Sequence, residues 1–277
     1  MRVRFKAAAV IAAVMSVPVV LAGCASTPAS TGEEHTALST HVHAVVVDPE
    51  TGQLLLGTHE GIYEVSESGE LGGRVSTADF DAMGLTATSQ GLIASGHPGP
   101  QTPEEWGAPN LGVIRSVDGG ANWEPVAFTG EKDFHALTAG ADDTVYGLAT
   151  DDTDLLRSVD AGATWTPTGA QVPAVSLTAD ASGRVVAATA DGVTVSTDRG
   201  ASFSAWPDAP LLYTLGASPD RKRLVGVGTD DRIWVLGSGE DQWREAGTVH
   251  EQAQAVGIDA DGRVVVVDAS GITVLPQ

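Results

Sequence analysis

Short apolar stretches of four to six residues, each closed off by Gly, Asp, Ser or Pro, recur along most of this chain. His43-Ala-Val-Val-Val-Asp48, Gln53-Leu-Leu-Leu-Gly-Thr58, Gly61-Ile-Tyr-Glu-Val65 and residues 70–75 are the first four. Each is too short for a stable helix, rich in Val, Leu or Ile and bounded by turn formers, which predicts β-strands. The same alternation gives further first strands starting near Asp81, His135, Pro173, Tyr213 and Gln254. The last group supplies 255–259, 263–267 and 272–275 and ends one strand short. Residues 36–40 are expected to provide the missing outer strand, so that an N-terminal strand closes the ring and leaves no open sheet edge.

A second pattern lies over the first. Ser116-Val-Asp118-Gly-Gly120-Ala-Asn-Trp123, Ser158-Val-Asp160-Ala-Gly162-Ala-Thr-Trp165 and Ser196-Thr-Asp198-Arg-Gly200-Ala-Ser-Phe203 share Ser-x-Asp-x-Gly-x-x-Trp/Phe, spaced by 42 and then 38 residues. A period near 40 residues built from short strands predicts a β-propeller with one blade per repeat. The expected fold is therefore all-β, a six-bladed β-propeller over residues 36–277, with almost no helix. The motif resembles the Asp-box, or BNR repeat, of sialidases, sortilin-type receptors and photosystem assembly factors. It predicts a hairpin turn between third and fourth strands, where the carboxylate accepts backbone N–H groups and Gly takes a positive φ. Ser116, Asp118, Gly120, Trp123, Ser158, Asp160, Gly162, Trp165, Ser196, Asp198, Gly200 and Phe203 are structural in this reading. Their aromatic rings are expected to pack between blades.

The N-terminus predicts an address. Arg2, Arg4 and Lys6 precede an apolar run over 7–21, which has the length and flanks of a signal peptide. The run ends in Leu21-Ala-Gly-Cys24, which resembles the bacterial lipobox. That resemblance implies removal of residues 1–23 and lipidation of Cys24 as the new N-terminus. Residues 24–35 are small and polar and read as a flexible tether. The expected location is the extracytoplasmic face of a bacterial cell envelope, held to the membrane by a lipid anchor. Cys24 is the only cysteine, so no disulfide forms within the chain.

Charge narrows the partners. Loss of residues 1–23 removes three of the 15 basic residues and none of the 36 acids, leaving a formal charge of −24. Such a surface repels phosphate backbones, so nucleic acid is not an expected partner. One propeller accounts for the chain beyond the tether, and a monomer is expected.

The histidines carry the candidate chemistry. First-strand starts align as His43, Asp81, His135, Pro173, Tyr213 and Gln254, and second-strand ends as His59, His97, Asp151, Ala190, Asp230 and Ala269. Both positions lie at one end of an antiparallel blade, so His41, His43, His59, His97 and His135 should gather on the face opposite the Asp-box turns. Asp79, Asp81 and Asp133 join them. A metal site there would use His43, His59, His97, His135 and Asp81, a donor set suited to a transition metal such as Zn or Cu. His41, Asp79, Trp106 and Glu104 are further ligand-contacting candidates. The last two lie on the long segment between His97 and Asn110, which should overhang the cluster. General acid–base chemistry on a small molecule or glycan is the competing reading, with Asp81 or Asp133 as acid/base and Tyr213 nearby. The same residues could instead form a hydrogen-bonded network of structural histidines, and the propeller could serve as a protein-interaction scaffold.

As a whole, residues 40–277 resemble a bacterial lipoprotein family commonly labelled glycosyl hydrolase or exo-α-sialidase. The resemblance rests on His41-Val-His43, Gly57-Thr-His-Glu-Gly61, Ser95-Gly-His-Pro-Gly99, Asn110-Leu-Gly-Val-Ile-Arg-Ser-Val-Asp-Gly-Gly120 and Asp133-Phe-His-Ala-Leu137. It implies a sialidase-like propeller and a glycoside hydrolase activity. Sialidases carry three channel-facing arginines for the substrate carboxylate. No arginine falls at a first-strand start here.

Overall fold

The computed structural model describes residues 40–275. The expected signal peptide, Cys24, the tether and residues 36–39 of the expected closing strand lie outside the described residues. Within them the protein is a six-bladed β-propeller. Blade one contains β1 (Val42–Val47), β2 (Leu54–Thr58), β3 (Gly61–Val65) and β4 (Leu71–Arg74). Blade two contains β5 (Phe80–Thr88), β6 (Gly91–Pro98), β7 (Val113–Ser116) and β8 (Glu124–Ala127). Blade three contains β9 (Phe134–Ala139), β10 (Val145–Ala149), β11 (Asp154–Ser158) and β12 (Thr166–Gln171). Blade four contains β13 (Ala174–Ala179), β14 (Val185–Thr189), β15 (Gly192–Ser196) and β16 (Ser204–Ala205). Blade five contains β17 (Leu212–Ala217), β18 (Arg223–Gly228), β19 (Arg232–Gly237) and β20 (Arg244–Thr248). Blade six has three strands among the described residues, β21 (Ala255–Ile258), β22 (Val264–Asp268) and β23 (Gly271–Leu275). One 3₁₀ turn, Glu104–Trp106, is the only helical element among the described residues.

Every blade is an antiparallel meander, and the six first strands pack side by side around a central channel. The ring closes where β1 meets β21, and there the Gln254 side chain accepts the Val42 N–H at 2.9 Å. The second strands are buried from both faces, as runs such as Leu54-Leu-Leu-Gly-Thr58 and Val264-Val-Val-Val-Asp268 require. Apolar clusters fill the seams between neighbouring blades. Phe80 and Trp123 meet at 5.5 Å in one seam, and Phe134 stacks on Trp165 at 5.2 Å in another.

The Ser-x-Asp-x-Gly segments form the expected third-to-fourth-strand turns. Ser116 Oγ donates to Asp118 at 2.9 Å and accepts the Gly120 N–H at 2.9 Å. Asp118 then accepts the Asn122 N–H, and the Trp123 indole donates to the Gly120 carbonyl. The same bonds recur at Ser158–Trp165, and all but the indole bond recur at Ser196–Phe203. Gly120, Gly162 and Gly200 all have φ between 81° and 89°, which an L side chain resists. Hydrogen bonds from Ser202 and Ser196 hold the Asp198 carboxyl down to about 2.

In five blades the pairing of first and second strands skips one residue. The skipped residues are His43, Met83, His135, Val175 and Tyr213, and each lines the channel together with Gln254 of blade six. A bulge leaves the extra residue outside the ladder and re-aims its side chain, here toward the axis. This corrects the expected alignment. The counterparts of His43 in blades two and four are Met83 and Val175, whereas Asp81 and Pro173 sit two residues earlier, in register with His41 and Asp133.

The channel has a volume of about 520 Å³. At the end away from the histidines, the Arg221 guanidinium of blade five crosses to the Ala87 carbonyl of blade two, 2.9 Å away. Burial lowers its pKa to about 10 against the raising influence of Asp143.

Candidate functional site

Two histidine–aspartate groups occupy the opposite mouth, one in the seam between blades one and two, the other between blades two and three. In the first, His43 Nε2 lies 3.4 Å from His59 Nδ1 and 3.5 Å from Asp81 Oδ1, and His59 Nδ1 lies 2.9 Å from Asp81 Oδ2. The His41 ring is 4.8 Å from that of His43 and 5.6 Å from that of His59. In the second, Asp133 Oδ2 is 2.7 Å from His135 Nε2 and 3.4 Å from His97 Nε2. Thr150 Oγ1 also donates to this oxygen, at 3.4 Å.

Local sequence explains the convergence. His43 and His135 are bulge residues, thrown toward the channel mouth. His59 follows β2, and His97 lies near the end of β6, where Asp81 is its cross-strand partner. Gly96 makes that approach feasible: its φ is 147°, and an added Cβ would collide with the Asp81 carbonyl. Asp81 nonetheless serves blade one, while His97 serves blade three. The β5–β6 pair is thus a wall shared by both groups.

The electrostatics favour neutral imidazole at the centre. The His43 pKa is lowered to about 4, chiefly by burial and further by His59, His41 and His135, against the raising influence of Asp81. A neutral ring keeps a lone pair available for a cation at neutral pH. Asp81 Oδ1 and Asp133 Oδ1 are buried without any hydrogen-bond donor. Buried carboxylate oxygens are ordinarily satisfied, so these two are the polar groups here most in need of a partner.

Other expected contacts fall elsewhere. Trp106 is only 6% exposed and packs at 6.0 Å from Phe80 within the core between blades one and two. It anchors the long segment and is turned away from the mouth, contrary to the expected ligand contact. Glu104 is exposed at the surface of that segment. Asp79 accepts the Gln101 N–H at 2.7 Å, and its carbonyl accepts from Thr102, so it fastens the same segment to the blade. Tyr213 lines the channel, but its hydroxyl accepts the Ala253 N–H at 2.9 Å and burial raises its pKa. Among the polar features of the channel, sequence reasoning missed Arg221. Nothing in its turn sequence, Asp220-Arg-Lys-Arg223, marks Arg221 as the residue that points inward.

No protein-family model matches the chain, and no curated protein matches it. Solved structures do. A GH74 xyloglucanase from Xanthomonas campestris aligns with a TM-score of 0.54 at 16% identity over 87% of this chain, which spans only 46% of that enzyme. A streptogramin B lyase aligns with a TM-score of 0.54 at 15% identity, covering 86% of this chain and 96% of its own. A structural-genomics protein given a gluconolactonase assignment aligns with a TM-score of 0.62 at 13% identity, over 88% and 93% of the two chains. The likeness is one of fold.

Proposed function

We propose that this chain is a lipid-anchored, extracytoplasmic propeller that binds a transition metal at its histidine-lined mouth. The observation that carries the reading is the convergence of His43, His59 and Asp81 from two blades, with the nitrogens and the carboxylate 2.9–3.5 Å apart. Around a tetrahedral ion with bonds of 2.0–2.1 Å, neighbouring donor atoms stand about 3.3–3.4 Å apart. The side chains therefore already have nearly the spacing that an ion would impose. Imidazole with a carboxylate suits Zn or Cu better than Ca or Mg, which prefer oxygen-only sets. Cys24 and the segment before it support the anchor and the address.

The hydrolase reading draws on the fold it shares with a xyloglucanase and on the carboxylates Asp81 and Asp133. The Tyr213 hydroxyl, held by a backbone N–H and raised in pKa, is a poor nucleophile, which weighs against that reading. Elemental analysis of full-length protein purified without a polyhistidine tag separates the two. Stoichiometric metal, lost in the His59→Ala/His97→Ala double variant, is the expected result. Metal-free protein that cleaves a glycoside would overturn it. Cys24→Ser should move the protein from the membrane fraction to the soluble one.

A further inference from the structure

Resting on that metal-binding reading, we infer that the mouth holds two separate transition-metal centres, one in each of two successive blade seams. The sequence pattern suggests a single cluster, but the geometry does not bring the histidines to one point. The ligand atoms of His41, His43 and His59 lie within 4.8 Å of one another, and so do those of His97, Asp133 and His135, as two distinct groups.

The two groups are related by a step around the ring. His59, following the second strand of blade one, faces Asp81 before the bulge of blade two. His97, near the end of the same strand of blade two, faces Asp133 before the bulge of blade three. The seam that binds is thus repeated, as the blades themselves are. Each seam has its own buried aspartate oxygen lacking a donor, Asp81 Oδ1 in one and Asp133 Oδ1 in the other. Across the shared β5–β6 wall Asp81 contacts the first group, and its cross-strand partner His97 contacts the second.

The donor sets differ. In the first group the ligand atoms of His41, His43 and His59 gather together, and Asp81 lies against His43 and His59. His97, His135 and Asp133 offer three donors and leave a coordination position open beside the channel, where His135 lines the wall. Both sets, imidazoles with one carboxylate, select borderline divalent ions such as Zn²⁺ or Co²⁺.

The test is metal stoichiometry with singly disabled seams. Full-length protein, tag-free and in detergent, is dialysed to equilibrium against Zn²⁺ and its metal measured. Two ions per chain are expected. His59→Gln and His97→Gln, at side chains 49% and 40% exposed, should each leave one ion and an unchanged circular dichroism spectrum. The double variant should leave none. Co²⁺-loaded single variants should give two different visible spectra that sum to that of the parent. One ion per chain, lost with either single variant, would overturn the two-centre inference and leave the metal-binding reading standing. No ion in the parent protein would overturn both. Two ions lost together in one single variant would also overturn the inference, because the centres would not be independent.

Discussion

His59 and Asp81 meet across the seam between two blades, Nδ1 to Oδ2 at 2.9 Å, although 22 residues separate them in sequence. A contact of this kind ties the arrangement of the site to blade packing, because neither residue can move far without its blade. Its counterpart one blade on, His97 to Asp133 at 3.4 Å, depends on packing in the same way.

The first prediction concerns Asp133, which is 5% exposed and carries an unpaired oxygen. A ligand that binds only the folded chain stabilises it by about 2.7 kcal/mol at a hundred times its dissociation constant. Zn²⁺ should therefore raise the melting temperature of the parent protein. Asp133→Asn should shrink that rise while leaving the metal-free melting temperature equal or higher, since a poorly satisfied buried charge has been removed. A full Zn²⁺ response in Asp133→Asn would remove this carboxylate from the ligand set.

The second concerns acid. His43 titrates near 4 in the folded chain and near 6.5 when exposed, and its side chain is 13% exposed. Between those values the unfolded chain holds a proton that the folded chain lacks. Stability from this residue is therefore complete above about pH 6.5 and is lost as pH falls toward 4, by up to about 3 kcal/mol. Urea unfolding of metal-free protein at pH 7 and pH 4.5 should show that loss, and His43→Gln should reduce it. Equal pH dependence in parent and variant would contradict the burial argument.

The third concerns the repeated turns. The Ser158 hydroxyl is buried and joins Asp160 to the Gly162 N–H. Ser158→Ala strands that N–H and should cost about 1–3 kcal/mol. Thr164→Ala removes only an exposed bond to the same carboxylate and should cost less. Chemical denaturation of the two variants side by side checks the order.

The fourth concerns the long segment of blade two. Trp106 fills space against Phe80, so Trp106→Ala should cost about 3–5 kcal/mol. It should also expose residues 99–112 to proteolysis. A variant that stays resistant and stable would mean that Asp79 and Thr102 hold the segment unaided.

Much of this architecture is legible in the chain because propeller blades are local. Strands pair with sequence neighbours, so short alternating runs and a period near 40 residues disclose the count and the turn positions. Gathering the histidines on one face needed only strand direction. Splitting them into two groups did not follow from sequence, because it depends on which seam each side chain enters. The bulge hid the rest. The bulge position has no common side chain, being His43, Met83, His135, Val175 and Tyr213 in turn, so Asp81, two residues early, looks equivalent to His43 when its true counterparts are His41 and Asp133. Trp106 misled for another reason: a large aromatic in a long, proline-rich segment reads as a cover, and only packing reveals an anchor.

Arg221 has a consequence for traffic. A guanidinium strung from one wall of the lumen to the opposite wall narrows the channel at the end away from the histidines. The wider way into the lumen is then the mouth that carries the histidines. Shortening that side chain, as in Arg221→Ala, would remove the crossing and leave both ends of the lumen alike in width.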